Sequence, residues 1–422
     1  MHKLVKRTIL DSGLIILTEF RPELPSFALS FSLRSGSRAE KFKNNGIHHL
    51  IEHMIFKGSK NYDLKKIAEM SDRLGGGINA FTGKEITQFY IKAIDEKLKD
   101  SFDLLTDIVL DSIFLKDEFI KERDVVLQEI KESKDNPDMS AFELFYENLF
   151  ENNSLGFPIA GREEHVSNFS RDILYDYYID KYSPENLLLC ITGNVNHSEV
   201  VEMSEKYFSK FKKHMPVDFS YLKPEFNFKT FVRKKPSLEQ VYAIIGFRGI
   251  AFTSSLKYKF MLMNDILGSG MSSRLFQEIR EEKGLAYTIS SFCDSFLEDG
   301  VHLIYAIIEH KKIEEYLDAI RSEILILKRN GIKKEELIRA KDHIKSSFIL
   351  GLESNFSKMR LNVNQELYLK REIEVSQIID KIDKINIDEI NELFLRFLNF
   401  KEVSILLYGN VKGNKFKNFK FE

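Results

Sequence analysis

Three side chains in one short segment have the types and spacing for metal-assisted hydrolysis: His49, Glu52 and His53. Read as a helix over 46–56, the segment places Ile47, Leu50, Ile51, Met54 and Ile55 on one apolar stripe. The two histidines and the glutamate share the opposite face, and histidines four apart sit one turn apart, so both rings can reach one ion. Zinc takes neutral imidazole nitrogens plus one further ligand and, in a catalytic site, leaves a fourth position open to water. It brings the pKa of that water down to about 7. A carboxylate must then take the water's proton and pass it to the leaving amine. His-x-x-Glu-His supplies two ligands and a base within about one and a quarter helical turns. An ordinary solvated helix face would carry the same three residues, so the pattern needs a third ligand.

That ligand should be an acid on another element. Glu122 and Glu129 are seven apart in a helical pattern over 117–134, hence on one face, and they border the apolar positions Phe119, Val126, Leu127 and Ile130. Either could meet a metal, and either could be one more surface glutamate. The pattern ends at Asn136-Pro137, as the restriction before proline requires.

The rest of the chain must position these groups. Its 422 residues carry 62 Lys+Arg against 64 Asp+Glu, a net charge of −2, which excludes polyanion binding driven by bulk charge. An apolar fraction of 43% with 30% charged residues fits a folded protein. No run of about 18 apolar residues occurs, so no membrane-spanning helix is expected. The first twenty residues read as two short strands around Asp11-Ser12-Gly13, and a secretory signal is not expected there. Two cysteines, Cys190 and Cys293, are too few for a disulfide framework or a cysteine zinc site, and a reducing cytoplasm is the simplest compartment.

Strands and helices alternate, and the order repeats. Strand patterns over 25–37, 89–94 and 186–195 are interleaved with helical patterns over 46–56, 96–113 and 117–134. The second half replays them with strands at 242–247, 302–308 and 402–411 and helices at 257–267, 273–283, 313–329 and 334–350. The segment from Ala93 aligns with that from Ala306 (306 − 93 = 213), and Gly193-Asn194-Val195 aligns with Gly409-Asn410-Val411 (409 − 193 = 216). Two segments agreeing within three residues indicate an internal duplication. The expected fold class is α+β: two homologous domains, each a mainly antiparallel sheet with helices packed on it. The expected division is 1–213, a linker over 214–240 that holds three of the eight prolines, and 241–422.

At this point the sequence resembles the pitrilysin family, which includes insulin-degrading enzyme and the mitochondrial processing peptidase, over nearly the whole chain. The inverted His-x-x-Glu-His spacing is the inverzincin signature. Four motifs agree in order and spacing: Gly46-x-x-His49-x-x-Glu52-His53-Met54-x-Phe56-Lys57-Gly58; Gly75 to Thr82 with Glu85-x-Thr87; Glu122 to Glu129; and Gly270-Met-Ser-Ser-Arg274 leading to Arg280 and Gly284-Leu-Ala-Tyr287.

The resemblance implies that His49, His53 and Glu129 are zinc ligands and Glu52 the general base. It implies that Glu122 orients and tunes the site. Asn79 and Ala80 would lie on a strand edge that pairs with substrate backbone. Arg280 and Tyr287 would donate hydrogen bonds to the developing oxyanion, although Arg280 would also suit a helix C-terminus and Tyr287 a core. The implied activity is a zinc endopeptidase acting on unfolded or extended peptides. It would work as a homodimer enclosing a chamber, with a heterodimer including a silent partner as the other assembly and neither nucleic acid nor membrane as partner. A non-catalytic peptide-binding scaffold is the alternative, and its usual mark, a lost ligand or base, is absent. His48 departs from the small residue usual at its position; on the flank of the apolar stripe it is expected to be packed or hydrogen-bonded. The second half lacks His-x-x-Glu-His and is expected to be catalytically silent, a wall and substrate clamp. Gly75-Gly76-Gly77 is no phosphate loop, since no Gly-Lys-Ser/Thr follows.

Overall fold

The computed structural model describes residues 5–211, 216, 221–412, 416–417 and 419–421. Eleven strands form two sheets among these residues. The first contains β1 (Val5–Ile9), β2 (Ile15–Phe20), β3 (Ser26–Leu33), β4 (Ile78–Thr82), β5 (Thr87–Ile94) and β6 (Leu187–Gly193), in the spatial order β1-β2-β6-β3-β5-β4. The second contains β7 (Thr230–Lys234), β8 (Gln240–Arg248), β9 (Ala286–Ser295), β10 (Gly300–Glu309) and β11 (Val403–Gly409), in the order β7-β11-β8-β10-β9.

Apart from the extra edge strand β1, the pairing directions of the two sheets match. β2 is parallel to β6, as β7 is to β11. β3 is antiparallel to β6 and β5, as β8 is to β11 and β10. β4 is antiparallel to β5, as β9 is to β10. The duplication read from two aligned segments is therefore a duplication of topology.

Each sheet is mostly antiparallel and covered on both faces. Leu187, Leu189 and Ile191 of β6 join the large core beneath the helices Ile47–Ile55, Leu98–Leu110 and Lys116–Asp135. Leu188 and Cys190 face the other way, onto Met359, Val363 and Leu367. Burial of both faces explains why β6 reads as an unbroken apolar run.

The two compact units are not contiguous in sequence. The first comprises 1–132, 157–222 and 351–372; the second comprises 133–156, 223–350 and 373–422. The helix Pro137–Leu149, from the first half, lays Ala141, Phe145 and Leu149 on Ile244, Leu303 and Leu406 of the second sheet. The helix Asn355–Asn364, from the second half, covers the first sheet. A division at 213 and 241 misses this exchange, because an apolar helix face does not record which sheet it will meet. The 214–240 segment is also more than a linker. Residues 214, 215 and 217–220 lie outside the described residues, but β7 falls within the segment, and Phe226, Phe228, Phe231 and Leu238 pack against the second unit's core.

Candidate metal centre

The nine-residue helix Ile47–Ile55 buries Ile47, Leu50, Ile51, Met54 and Ile55 completely and leaves His49 and His53 each 18% exposed. So short a helix is marginal in isolation, and its N-cap, Gly46, offers no side chain. Glu40 takes over that role from six residues upstream. Its carboxylate accepts from the backbone N–H of Gly46 at 2.8 Å and of His48 at 3.0 Å, and from Asn45 Nδ2 at 2.9 Å. Asn45 Nδ2 also donates to the Pro158 carbonyl. Gly46 has φ = +98°, and a Cβ there would lie 2.8 Å from the Ala160 carbonyl oxygen, so only glycine fits.

The helix Lys116–Asp135 brings up the acids. His49, His53 and Glu129 each offer a ligand atom, all within 4.8 Å of one another, the only such cluster among the described residues. The Glu129 oxygen is 3.8 Å from His49 Nε2 and 3.4 Å from His53 Nε2. A tetrahedral ion with arms of about 2.1 Å needs ligand atoms about 3.4 Å apart, so the donor set fits zinc with small adjustments. Burial, with the His53 ring second, lowers the His49 pKa to about 4, which leaves that imidazole neutral with a free lone pair. Burial also disfavours charge on His53, but the carboxylates of Glu122, Glu129 and Glu52 together outweigh it and raise the pKa.

Glu122 stands beside the cluster. Its Oε2 lies 3.1 Å from His53 Nδ1, and its Oε1 lies 2.8 Å from the Lys57 ammonium. An ionised carboxylate only accepts, so Nδ1 carries a proton toward Glu122 and Nε2 is the nitrogen that faces Glu129. Burial raises the Glu122 pKa, but His53 and Lys57 more than offset it and hold the carboxyl below the ordinary value.

Glu52 is outside the ligand cluster. Thr82, the last residue of β4, donates its hydroxyl to Glu52 Oε2. Burial raises the Glu52 pKa, with the Thr82 hydrogen bond opposing it. A carboxylate whose pKa burial raises, and which stands outside the ligand cluster, has the character of a proton acceptor.

β4 pairs with β5 and forms the edge of the first sheet. Asn79 is exposed there and Ala80 half-buried, and the Ala80 N–H is held by Asn79 Oδ1 at 2.8 Å. Arg280 and Tyr287 belong to the second unit. The Arg280 guanidinium stacks over Phe276 and lies 3.6 Å from Glu281. Tyr287, at the start of β9, is 76% exposed, which excludes the core-packing role. His48 is buried, with Nε2 3.1 Å from Ser35 Oγ and 3.0 Å from the Tyr177 hydroxyl. Burial lowers its pKa to about 3, so it is a neutral core histidine.

Sequence reasoning assigned no role to Glu40, Lys57 or Thr82. Lys57 and Thr82 lie inside quoted motifs, which was the available signal. Glu40 had none, because its distance from the helix start matches no local capping pattern.

Two sheets of duplicated topology, one of them presenting a His-x-x-Glu-His helix to a distant glutamate, define a metallopeptidase-type fold. Residues 16–163 match the family described as insulinase (peptidase family M16), and residues 168–344 match the peptidase M16 inactive domain. The chain belongs to peptidase family M16. It is 36% identical to the Bacillus subtilis protein named uncharacterized zinc protease YmxG, over 92% of this chain and 95% of that one. A Rickettsia felis protein, also named an uncharacterized zinc protease, is 35% identical over 90% and 92%. A protease from Helicobacter pylori shares the fold with a TM-score of 0.88 at 21% identity, covering 96% of this chain and 99% of that chain. A Pseudomonas fluorescens structure described as a peptidase M16 inactive domain gives 0.89 at 19%, covering 96% and 97%. No helix among the described residues is long and apolar enough to cross a membrane.

Proposed function

We propose that this chain is a zinc-dependent endopeptidase for unfolded or extended peptides. The observation that carries the reading is the convergence of His49, His53 and Glu129 with Glu52 beside them and outside the cluster. His49, His53 and Glu129 would hold the ion. When bound, zinc supplies positive charge that polarises a carbonyl and acidifies water. Glu52 then accepts a proton from the attacking water and delivers it to the leaving amine, while Glu122 fixes the tautomer of His53. An extended substrate adds to the β4 edge, where Asn79 yields the Ala80 N–H to the incoming backbone. Arg280 and Tyr287 are the proposed donors to the developing oxyanion.

We assign the working form to a homodimer whose two chains enclose the substrate, in the cytoplasm. Each chain carries both the ligand cluster and the Arg280–Tyr287 pair, so no different partner is needed to complete the set. The names of the curated relatives support zinc and proteolysis as a class.

The deciding experiment compares wild type with Glu52→Gln on a fluorogenic unstructured peptide, with and without a chelator. Wild type cleaves and the chelator stops it; Glu52→Gln keeps its zinc and loses cleavage. Cleavage by Glu52→Gln at the wild-type rate would remove Glu52 as base, and a silent wild type with full zinc would favour the scaffold reading. Sedimentation tests the assembly, since an active monomer would refute the dimer.

A further inference from the structure

The second unit holds a cavity where the first holds its metal cluster. The buried stripe Leu50, Ile51, Met54 and Ile55 recurs as Leu262, Met263, Ile266 and Leu267 (262 − 50 = 212) on the helix Lys257–Gly268. In that register His49, Glu52 and His53 become Met261, Asn264 and Asp265. Thr82 ends β4 five residues before β5 starts (87 − 82 = 5), and Ser295 ends β9 five residues before β10 starts (300 − 295 = 5), so Ser295 takes the place of Thr82. The helix-to-helix contact is kept with its charges exchanged: Asp265 Oδ1 lies 2.6 Å from His343 Nδ1, where His53 meets Glu122. Seven residues beyond Glu122 stands Glu129, whereas seven beyond His343 stands Leu350 (343 + 7 = 350). The ligand set is gone, but the space remains: Met261, Asn264, Asp265 and Ser295 all line one cavity of about 510 Å³. That volume suits a small organic ligand.

Its chemistry differs from that of the metal cleft. Ile250, Phe252, Phe260 and Ile344 make much of the wall apolar. Both acids on the wall are engaged, Asp265 by His343 and Asp294 by the Tyr146 hydroxyl. Lys257 also lines the cavity, yet its ammonium has no carboxylate within ion-pair distance among the described residues. It sits instead 3.9 Å above the Phe252 ring, a weak substitute for a counter-ion. Desolvation is the one influence on its pKa, and it acts downward, as for a partly buried cation lacking an anion. A half-buried cation in an apolar wall calls for an anion with an apolar body.

We propose that this cavity binds a carboxylate carried on an apolar body, with the anion on Lys257 and the body against Phe252, Phe260 and Met261. A peptide C-terminus with a bulky apolar last residue and a free medium-chain acyl carboxylate both have that chemistry. The inference does not rest on proteolysis, because the cavity belongs to the second unit and its test runs without metal.

The test uses the full chain with chelator present, so that no carboxylate is held by zinc. The probes are a fluorescein-labelled octapeptide ending in phenylalanine, its C-terminal amide, octanoate and octanamide. Binding is read by anisotropy for the peptides and calorimetry for the acyl pair. At least one acid should bind tenfold or more tightly than its amide. Lys257→Met should abolish that preference while leaving the amide's affinity unchanged, and Lys257→Arg should retain it. A preference shown by the peptide alone assigns the peptide source, and one shown by octanoate alone assigns the acyl source. Because Lys257→Met could destabilise the chain, Ser269→Trp gives an independent readout. It puts an indole, in a chain that has no tryptophan, at the cavity's exposed rim, and its emission should respond to the acid at a concentration tenfold or more below that needed for the amide. Equal binding of acids and amides, or a preference that survives Lys257→Met, overturns the proposal.

Discussion

Glu122 grips His53 Nδ1 at 3.1 Å with one carboxylate oxygen and the Lys57 ammonium at 2.8 Å with the other. The pair fixes the second histidine's ring with Nδ1 engaged, as its proposed role of ligand requires. The Glu122 side chain is 8% exposed, so the ammonium supplies charge balance that solvent does not. Replacing Glu122 by Gln should leave the fold intact and weaken zinc binding by about 10- to 100-fold. A competitive zinc titration measures this, and an unchanged affinity would leave Glu122 only its ion pair with Lys57.

The Thr82 hydroxyl opposes the upward pull of burial on the Glu52 carboxyl. In the proposed role of base Glu52 must be ionised, so activity should be lost as pH falls through its folded pKa. That acid limb should lie above the ordinary glutamate value because the pKa is raised. Thr82→Val removes the opposing hydrogen bond, and the limb should move further toward neutral pH. Profiles of kcat/KM against pH for the two proteins provide the check; superimposable acid limbs would separate Thr82 from the base.

Glu129 is the one cluster member on another helix, and its side chain is 42% exposed. Glu129→Gln exchanges an anionic oxygen for a neutral one at nearly constant shape. The zinc content of the purified variant should fall well below one per chain, as measured by elemental analysis, with the melting temperature of the metal-free forms nearly unchanged. Full stoichiometry would exclude it from the ligand set.

Glu40 is buried, and burial raises its pKa from 4.5 to about 7 against the hydrogen bonds from Gly46, His48 and Asn45. A folded pKa above the unfolded one means that this group's stabilisation is complete below about pH 4.5 and is lost as pH rises through 7. The rise from 4.5 to about 7 corresponds to about 3 kcal/mol. Glu40→Gln cannot ionise, so the stability difference between wild type and variant should drift against wild type by that order between pH 4.5 and 7.5. Denaturant unfolding across this range measures it, and parallel curves would disprove the shifted ionisation.

Legibility in the sequence followed range along the chain. The helix carrying His49, Glu52 and His53 was readable because one helical period sets both its buried stripe and its polar face. The mostly antiparallel sheets were readable in outline from alternating and apolar runs. The end of the Lys116–Asp135 helix was marked by Asn136-Pro137, and the Asn136 side chain caps the helix that follows. The exchange of Pro137–Leu149 and Asn355–Asn364 between the two units was not readable, since each helix shows only that it needs an apolar surface.

What the sequence by itself determined is local: two imidazoles and a carboxylate one turn apart, a repeated order of elements, and a second half without the ligands. Helical periodicity left open which of two glutamates on one face meets the rings, and the packing of the helices decided it. It put Glu129 in the cluster and set Glu122 behind His53, because that choice depends on how two helices pack across the buried residues between them. It also delivered Glu40 to a helix start six residues away and left a cavity where the silent half has no metal ligands. The physical reason is the same in each case: periodicity fixes the direction of a side chain within its own element, and only packing fixes what it faces.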